Sequence, residues 1–64
     1  MTMTRQEKVV LDLLATGLSS RQIAEKLLIS FHTVETHRKH LRLKFKAHNT
    51  TEVILKAYPK MQLS

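Results

Sequence analysis

Two apolar helical faces are separated by only three residues, Leu28-Ile29-Ser30, and this join constrains the chain more than any other feature. Ile23, Ala24 and Leu27 recur at helical spacing before it, and Val34, Leu41 and Phe45 recur after it. Ser30 is a preferred N-cap residue, so a helix starting at Phe31 is expected. A connection this short makes its two helices cross steeply, the helix-turn-helix arrangement. Ala24 fits, because a small residue lets the following helix approach closely. Ile23, Leu27, Ile29, Val34 and Leu41 are expected to form the shared core.

Helical punctuation continues on both sides of the join. Thr4-Arg5-Gln6-Glu7 has the capping-box pattern, and Val10, Leu11 and Leu14 follow on one face. Gly17, the only glycine, suits a left-handed C-terminal position. Ser19 and Gln22 form a second box pattern and Asn49-Thr50-Thr51-Glu52 a third, followed by Val53, Ile54, Ala57 and Tyr58 until Pro59 stops the helix. No stretch alternates as a strand would. The expected fold class is all-α: a four-helix bundle-like domain containing a helix-turn-helix. One domain is expected over 1–64, with helices near 4–16, 20–28, 31–45 and 50–58.

Size and composition exclude several classes. A chain of 64 residues buries only about 60% of its unfolded surface, leaving little room for a core and a deep substrate cleft together. The chain has no Gly-rich phosphate loop, no paired acids poised for catalysis and no nucleophile–base pair, so no enzyme is expected. Without cysteine it has neither a disulfide framework nor a Cys-based zinc site. His37 and His40 stand at i,i+3, but no third ligand is evident, so no metal site and no cofactor are expected. Apolar runs reach three residues at most, so neither a membrane span nor a signal-peptide core is expected.

Charge points to a partner. The formal net charge is +6, and residues 35–64 hold seven basic groups against two acidic ones. Arg38, Lys39, Arg42, Lys44 and Lys46 cluster with no acid among them. Such a cluster is either a solvated helix face or a footprint for a polyanion. On the third helix His32, Glu35, Lys39, Arg42 and Lys46 lie opposite the apolar side, flanked by Thr36 and Arg38. A helix built this way suits the major groove of DNA, where base edges present donors and acceptors. Arg42 and Lys46 on this stripe, and Lys44 off it, are expected at phosphates.

At these residues the chain resembles the LuxR/GerE-type helix-turn-helix domain, of the NarL/FixJ-like kind. The opening Met3-Thr4-Arg5-Gln6-Glu7 with Val10-Leu11 is similar to that family's first helix. Residues 17–27, Gly-Leu-Ser-Ser-Arg-Gln-Ile-Ala-Glu-Lys-Leu, look like its second, and Ile29-Ser30-Phe31-His32-Thr33-Val34-Glu35-Thr36-His37-Arg38 like its turn and recognition helix. The Asn49-Thr50-Thr51-Glu52 start resembles its fourth. The likeness covers roughly residues 3–58 with motif spacing intact.

The resemblance implies a DNA-binding domain of bacterial transcription regulators, cytoplasmic and nucleoid-associated. By position, Glu35, Thr36 and Lys39 match base-contacting residues, and Ser20, Arg21, Thr33 and Arg38 match phosphate-contacting ones. It also implies dimerisation through the fourth helix, for which Leu55, with Thr51 and Tyr58 near it, is the candidate surface. Four departures stand out: Met3 for Leu, Gln6 for Arg, Lys46 for the Gly that ends the third helix, and Thr50 for Arg. Lys46 therefore predicts a strained, longer or differently turned terminus. A competing class is a protein-interaction module on the same scaffold, contacting RNA polymerase or a partner regulator, which Leu43 and Leu55 favour. For Glu35 two readings stay open: acceptance from cytosine N4, or an i,i+4 ion pair with Lys39.

Overall fold

Four polar residues start the four helices. In the structure, a computed structural model that describes residues 3–59, the order is α1 (Arg5–Ala15), α2 (Ser20–Leu27), α3 (Phe31–Lys44) and α4 (Thr50–Ala57). No strand occurs among the described residues, and the fold is all-α. The expected 1–64 span runs past the described residues at both ends. Thr4 accepts from the Glu7 amide at 3.1 Å while Glu7 accepts from the Thr4 amide at 3.0 Å, and Ser19 and Gln22 repeat the exchange at 3.2 and 2.9 Å. Ser30 accepts from the Thr33 amide at 3.0 Å. These caps satisfy donors that a helix start otherwise leaves open.

The fourth helix keeps half of its box. Asn49 accepts from the Glu52 amide at 2.8 Å, but Glu52 does not reach back. Its oxygens meet His48 Nδ1 at 3.2 Å and Lys56 Nζ at 3.1 Å instead.

Three helices end in one way. Their chains turn through a left-handed residue: Gly17 at φ 99°, Leu28 at φ 58° and Lys46 at φ 52°. The next amide then bonds back to the helix, Leu18 to the Leu13 carbonyl, Ile29 to Ala24 and Ala47 to Arg42, at 3.3, 3.0 and 2.8 Å. This is the Schellman arrangement. Glycine adopts it without strain, whereas leucine and lysine carry a Cβ that costs about 1 kcal/mol or more there. Lys46 therefore does not lengthen α3; it makes the glycine-type turn without glycine.

The core is one cluster: Val10, Leu11 and Leu14 from α1, Ile23 and Ala24 from α2, Val34 and Leu41 from α3, and Val53 from α4. Leu27 and Ile29, expected inside it, are half-buried against it. The core faces of α2 and α3 both join this cluster, so the short join leaves the opposite face of α3 to solvent.

Candidate nucleic-acid interface

Burial of Val34 and Leu41 fixes how α3 is turned about its axis. At about 100° per residue, His32, Thr36, Lys39 and Leu43 then form the row furthest from the core. Phe31, Glu35, Arg38 and Arg42 form the neighbouring row on the side of α2 and α4. His32, Lys39, Arg42 and Lys46 are exposed, and Glu35 and Thr36 are half-exposed. Arg21 is exposed at the start of α2, its guanidinium 5.7 Å from the centre of the Phe31 ring. Of the expected base-side trio, Thr36 and Lys39 thus stand on the outermost row and Glu35 on the row beside it.

Arg38 lies at the centre of a polar junction. Its Nε and Nη2 donate to Thr50 Oγ1 at 3.1 and 2.7 Å, and its Nη1 donates to Ser20 Oγ at 2.5 Å and to Glu35 Oε2 at 3.0 Å. Ser20 and Thr50 are the first residues of α2 and α4. One guanidinium therefore pins both helix starts to the middle of α3. Thr50 accepts this cation where an arginine was the family expectation. Glu35 pairs with Arg38 at i+3, not with Lys39 at i+4. A hydrogen bond from the buried Ser20 hydroxyl, together with the Arg38 charge, holds the Glu35 carboxyl below the usual range.

Other expected site residues are placed differently. Thr33 is half-buried, and its hydroxyl lies 2.8 Å from that of Ser30 within the α3 cap. Lys44, expected at phosphates, turns to α1 and donates to Glu7, whose side chain is 5% exposed. His40 Nδ1 lies 3.6 Å from the other Glu7 oxygen. The Lys44 hydrogen bond, then the Thr4 amide, lower the Glu7 pKa against the opposing effect of burial. Thr51 and Leu55 are exposed on α4, whereas Tyr58 is half-buried and its hydroxyl donates to Asp12. His37 is half-buried, and its Nδ1 is enclosed without a hydrogen-bond partner.

Two contributors were absent from the sequence reading. Lys56 donates to the carbonyls of Phe45 and Lys46 at 3.1 and 2.9 Å, so a cation from α4 caps the C-terminus of α3. Positive charge at that end is favoured by the helix dipole. Phe31 is 49% exposed although aromatic, and Leu28 is 91% exposed. The sequence signal for Phe31 was its place as the first residue of α3, on the Arg38 row rather than the Val34 row.

Residues 1–57 match the family model described as bacterial regulatory proteins, luxR family. The oxygen regulatory protein NreC of Staphylococcus carnosus (strain TM300) is 34% identical over 61 residues, covering 95% of this chain and 28% of that protein. NreC of Staphylococcus aureus (strain JH9) matches at the same identity and coverage. The chain thus spans little more than a quarter of the length of these relatives. No solved structure matches. With its helix-turn-helix and this match over residues 1–57, the chain belongs to the luxR family of bacterial regulatory proteins.

Proposed function

We propose that the domain binds duplex DNA sequence-specifically by laying α3 in the major groove, with Thr36 and Lys39 at base edges. The observation that carries this reading is the orientation of α3: its apolar face is locked in the core, and His32, Thr36 and Lys39 stand on the opposite side, with Arg42 exposed on the row beside them. Lysine donates to guanine O6 and N7, and threonine serves either base-edge partner. Glu35 is the third reader. A carboxylate has about four acceptor sites, more than Ser20 and Arg38 occupy, so it can also accept from cytosine N4.

Arg21, Arg42 and Lys46 are the proposed phosphate contacts, with the Thr33 hydroxyl at the start of α3; Ser20, expected there too, is buried with its one hydroxyl proton on Glu35 and holds the junction instead. Arg38 retains one of its five N–H donors outside the junction and offers it to the same backbone. Lys44, held by Glu7, stays outside the footprint. Two domains pair on DNA through α4 around Leu55 and Thr51, with the Tyr58 ring at the edge, because one recognition helix spans only a few base pairs. In this reading the 1–64 unit is a single binding module, not an enzyme, and acts in the cytoplasm at the nucleoid.

The test is a titration of the domain against a duplex selected from a random pool and against a scrambled duplex, repeated across salt concentrations. Preference for the selected duplex and a steep loss of affinity with salt are expected. Equal affinity for both duplexes would contradict sequence reading, and salt-independent binding would contradict the basic footprint.

A further inference from the structure

Phe31 is the one exposed aromatic side chain among the described residues, Phe45 and Tyr58 being half-buried. It lies outside the core cluster and opens α3, the end of a recognition helix whose residues meet base edges. Its surroundings are charged, with Glu35 next on its row and paired to Arg38. Arg21 lies over its ring at 5.7 Å, and Arg38 and Arg42 follow it along the same helical row. A cation over an aromatic face fixes the orientation of the ring at modest energy. This is therefore an aromatic edge, held in place, on the surface proposed to enter the groove. The base edges exposed there carry one apolar feature, the thymine C5-methyl, and phenylalanine is among the side chains that contact it.

Resting on the DNA-binding reading, we infer that Phe31 is a specificity-determining residue that reads a thymine methyl at the edge of the half-site. Arg21, braced on the outer face of the ring, holds the adjacent phosphate. The same pair then does two things: the ring discriminates, and the guanidinium anchors.

The experiment replaces each thymine of the selected duplex, one at a time, by deoxyuridine, which removes the methyl group and nothing else. Binding is measured for the wild type, Phe31→Ala and Phe31→Leu, after helicity and melting establish that both variants fold. At one thymine the substitution should weaken wild-type binding about fourfold, the effect of burying one methyl group. Phe31→Ala should bind the thymine and deoxyuridine duplexes equally, and Phe31→Leu should retain part of the discrimination. If no thymine separates the wild type from Phe31→Ala, the inference fails. It fails equally if Phe31→Ala weakens selected, deoxyuridine and scrambled duplexes by one factor, since the ring then only braces Arg21 or packs. A wild type that enriches no sequence from the pool would sink the DNA reading itself, an outcome distinct from either of these.

Discussion

Arg38 and Lys39 are neighbours on one helix with separable roles. Arg38 is half-buried and bonded to Ser20, Glu35 and Thr50, so its loss leaves polar groups at two helix starts without their shared donor. Arg38→Ala should lower stability by about 1–3 kcal/mol, read from urea unfolding, and weaken binding to every duplex. Lysine cannot replace the planar fork, so Arg38→Lys should recover little of it. Lys39→Ala should leave unfolding unchanged and cost about 1–3 kcal/mol at the selected site alone. Equal loss on scrambled DNA would make Lys39 a phosphate contact. Glu35→Gln separates its two readings: a changed base preference supports recognition, and a uniform gain in affinity means the carboxylate only repels phosphates. Lys46, left-handed at φ 52°, is the simplest backbone test. Lys46→Gly should raise stability by up to about 1 kcal/mol, set against the greater unfolded-state freedom of glycine. A clear loss would show that the turn is not strained.

At the scale of elements, α1 is tied to the end of α3 by the Glu7 carboxylate, with Lys44 on one oxygen and His40 facing the other. The Glu7 pKa is lowered in the folded domain, from 4.5, by Lys44 first and the Thr4 amide next. A depressed folded pKa gives stability that is present above 4.5 and is lost as pH falls through 4.5 toward the folded value. Glu35 and Glu52 are lowered from the same 4.5 and Asp12 from 3.8, so the whole domain should lose stability as pH falls below these values. Glu7→Gln should cost about 1.5–3 kcal/mol near neutral pH and flatten this acid limb, measured as the urea midpoint against pH. An unaltered acid limb would remove Glu7 from the account.

The sequence made the helices legible because Thr4, Ser19, Ser30 and Asn49 are local signals, each acting within three residues of itself. The outward row of α3 was legible for a similar reason, since Val34 and Leu41 set the phase of one helix. The junctions were not. Arg38 meets residues 18 and 12 positions away, Lys44 meets Glu7 across 37, and Tyr58 meets Asp12 across 46. Periodicity carries no information at those separations. Leu28 was opaque for another reason: nothing in a leucine announces a left-handed turn that glycine normally makes. Phe31 was legible only in part: its place on the Arg38 row sets it away from Val34 and Leu41, but nothing in a sequence shows Arg21 over its ring.

At the scale of the whole molecule, one helix on a domain of this size presents too few contacts for tight specific binding, so pairing on DNA follows from the proposal. Leu55, 37% exposed on α4, is the residue on which to test it. Its patch is small, so the domain should be monomeric in dilute solution and paired only where DNA raises the local concentration. Leu55→Glu should leave helicity and melting nearly unchanged and abolish cooperative binding to a two-half-site duplex. Cooperativity equal to that of the wild type would place the contact elsewhere.

The central claim is that the outward face of α3 both holds phosphates and reads bases. It is tested most directly by the dependence of log affinity on log salt for the selected duplex, measured for the wild type, Arg42→Ala and Lys39→Ala. Each phosphate contact contributes about 0.9 to the slope. The account predicts that Arg42→Ala flattens the slope by about one on any duplex, whereas Lys39→Ala keeps the wild-type slope and loses only the preference for the selected sequence. Slopes and preferences that shift alike in both variants, or in neither, would contradict it.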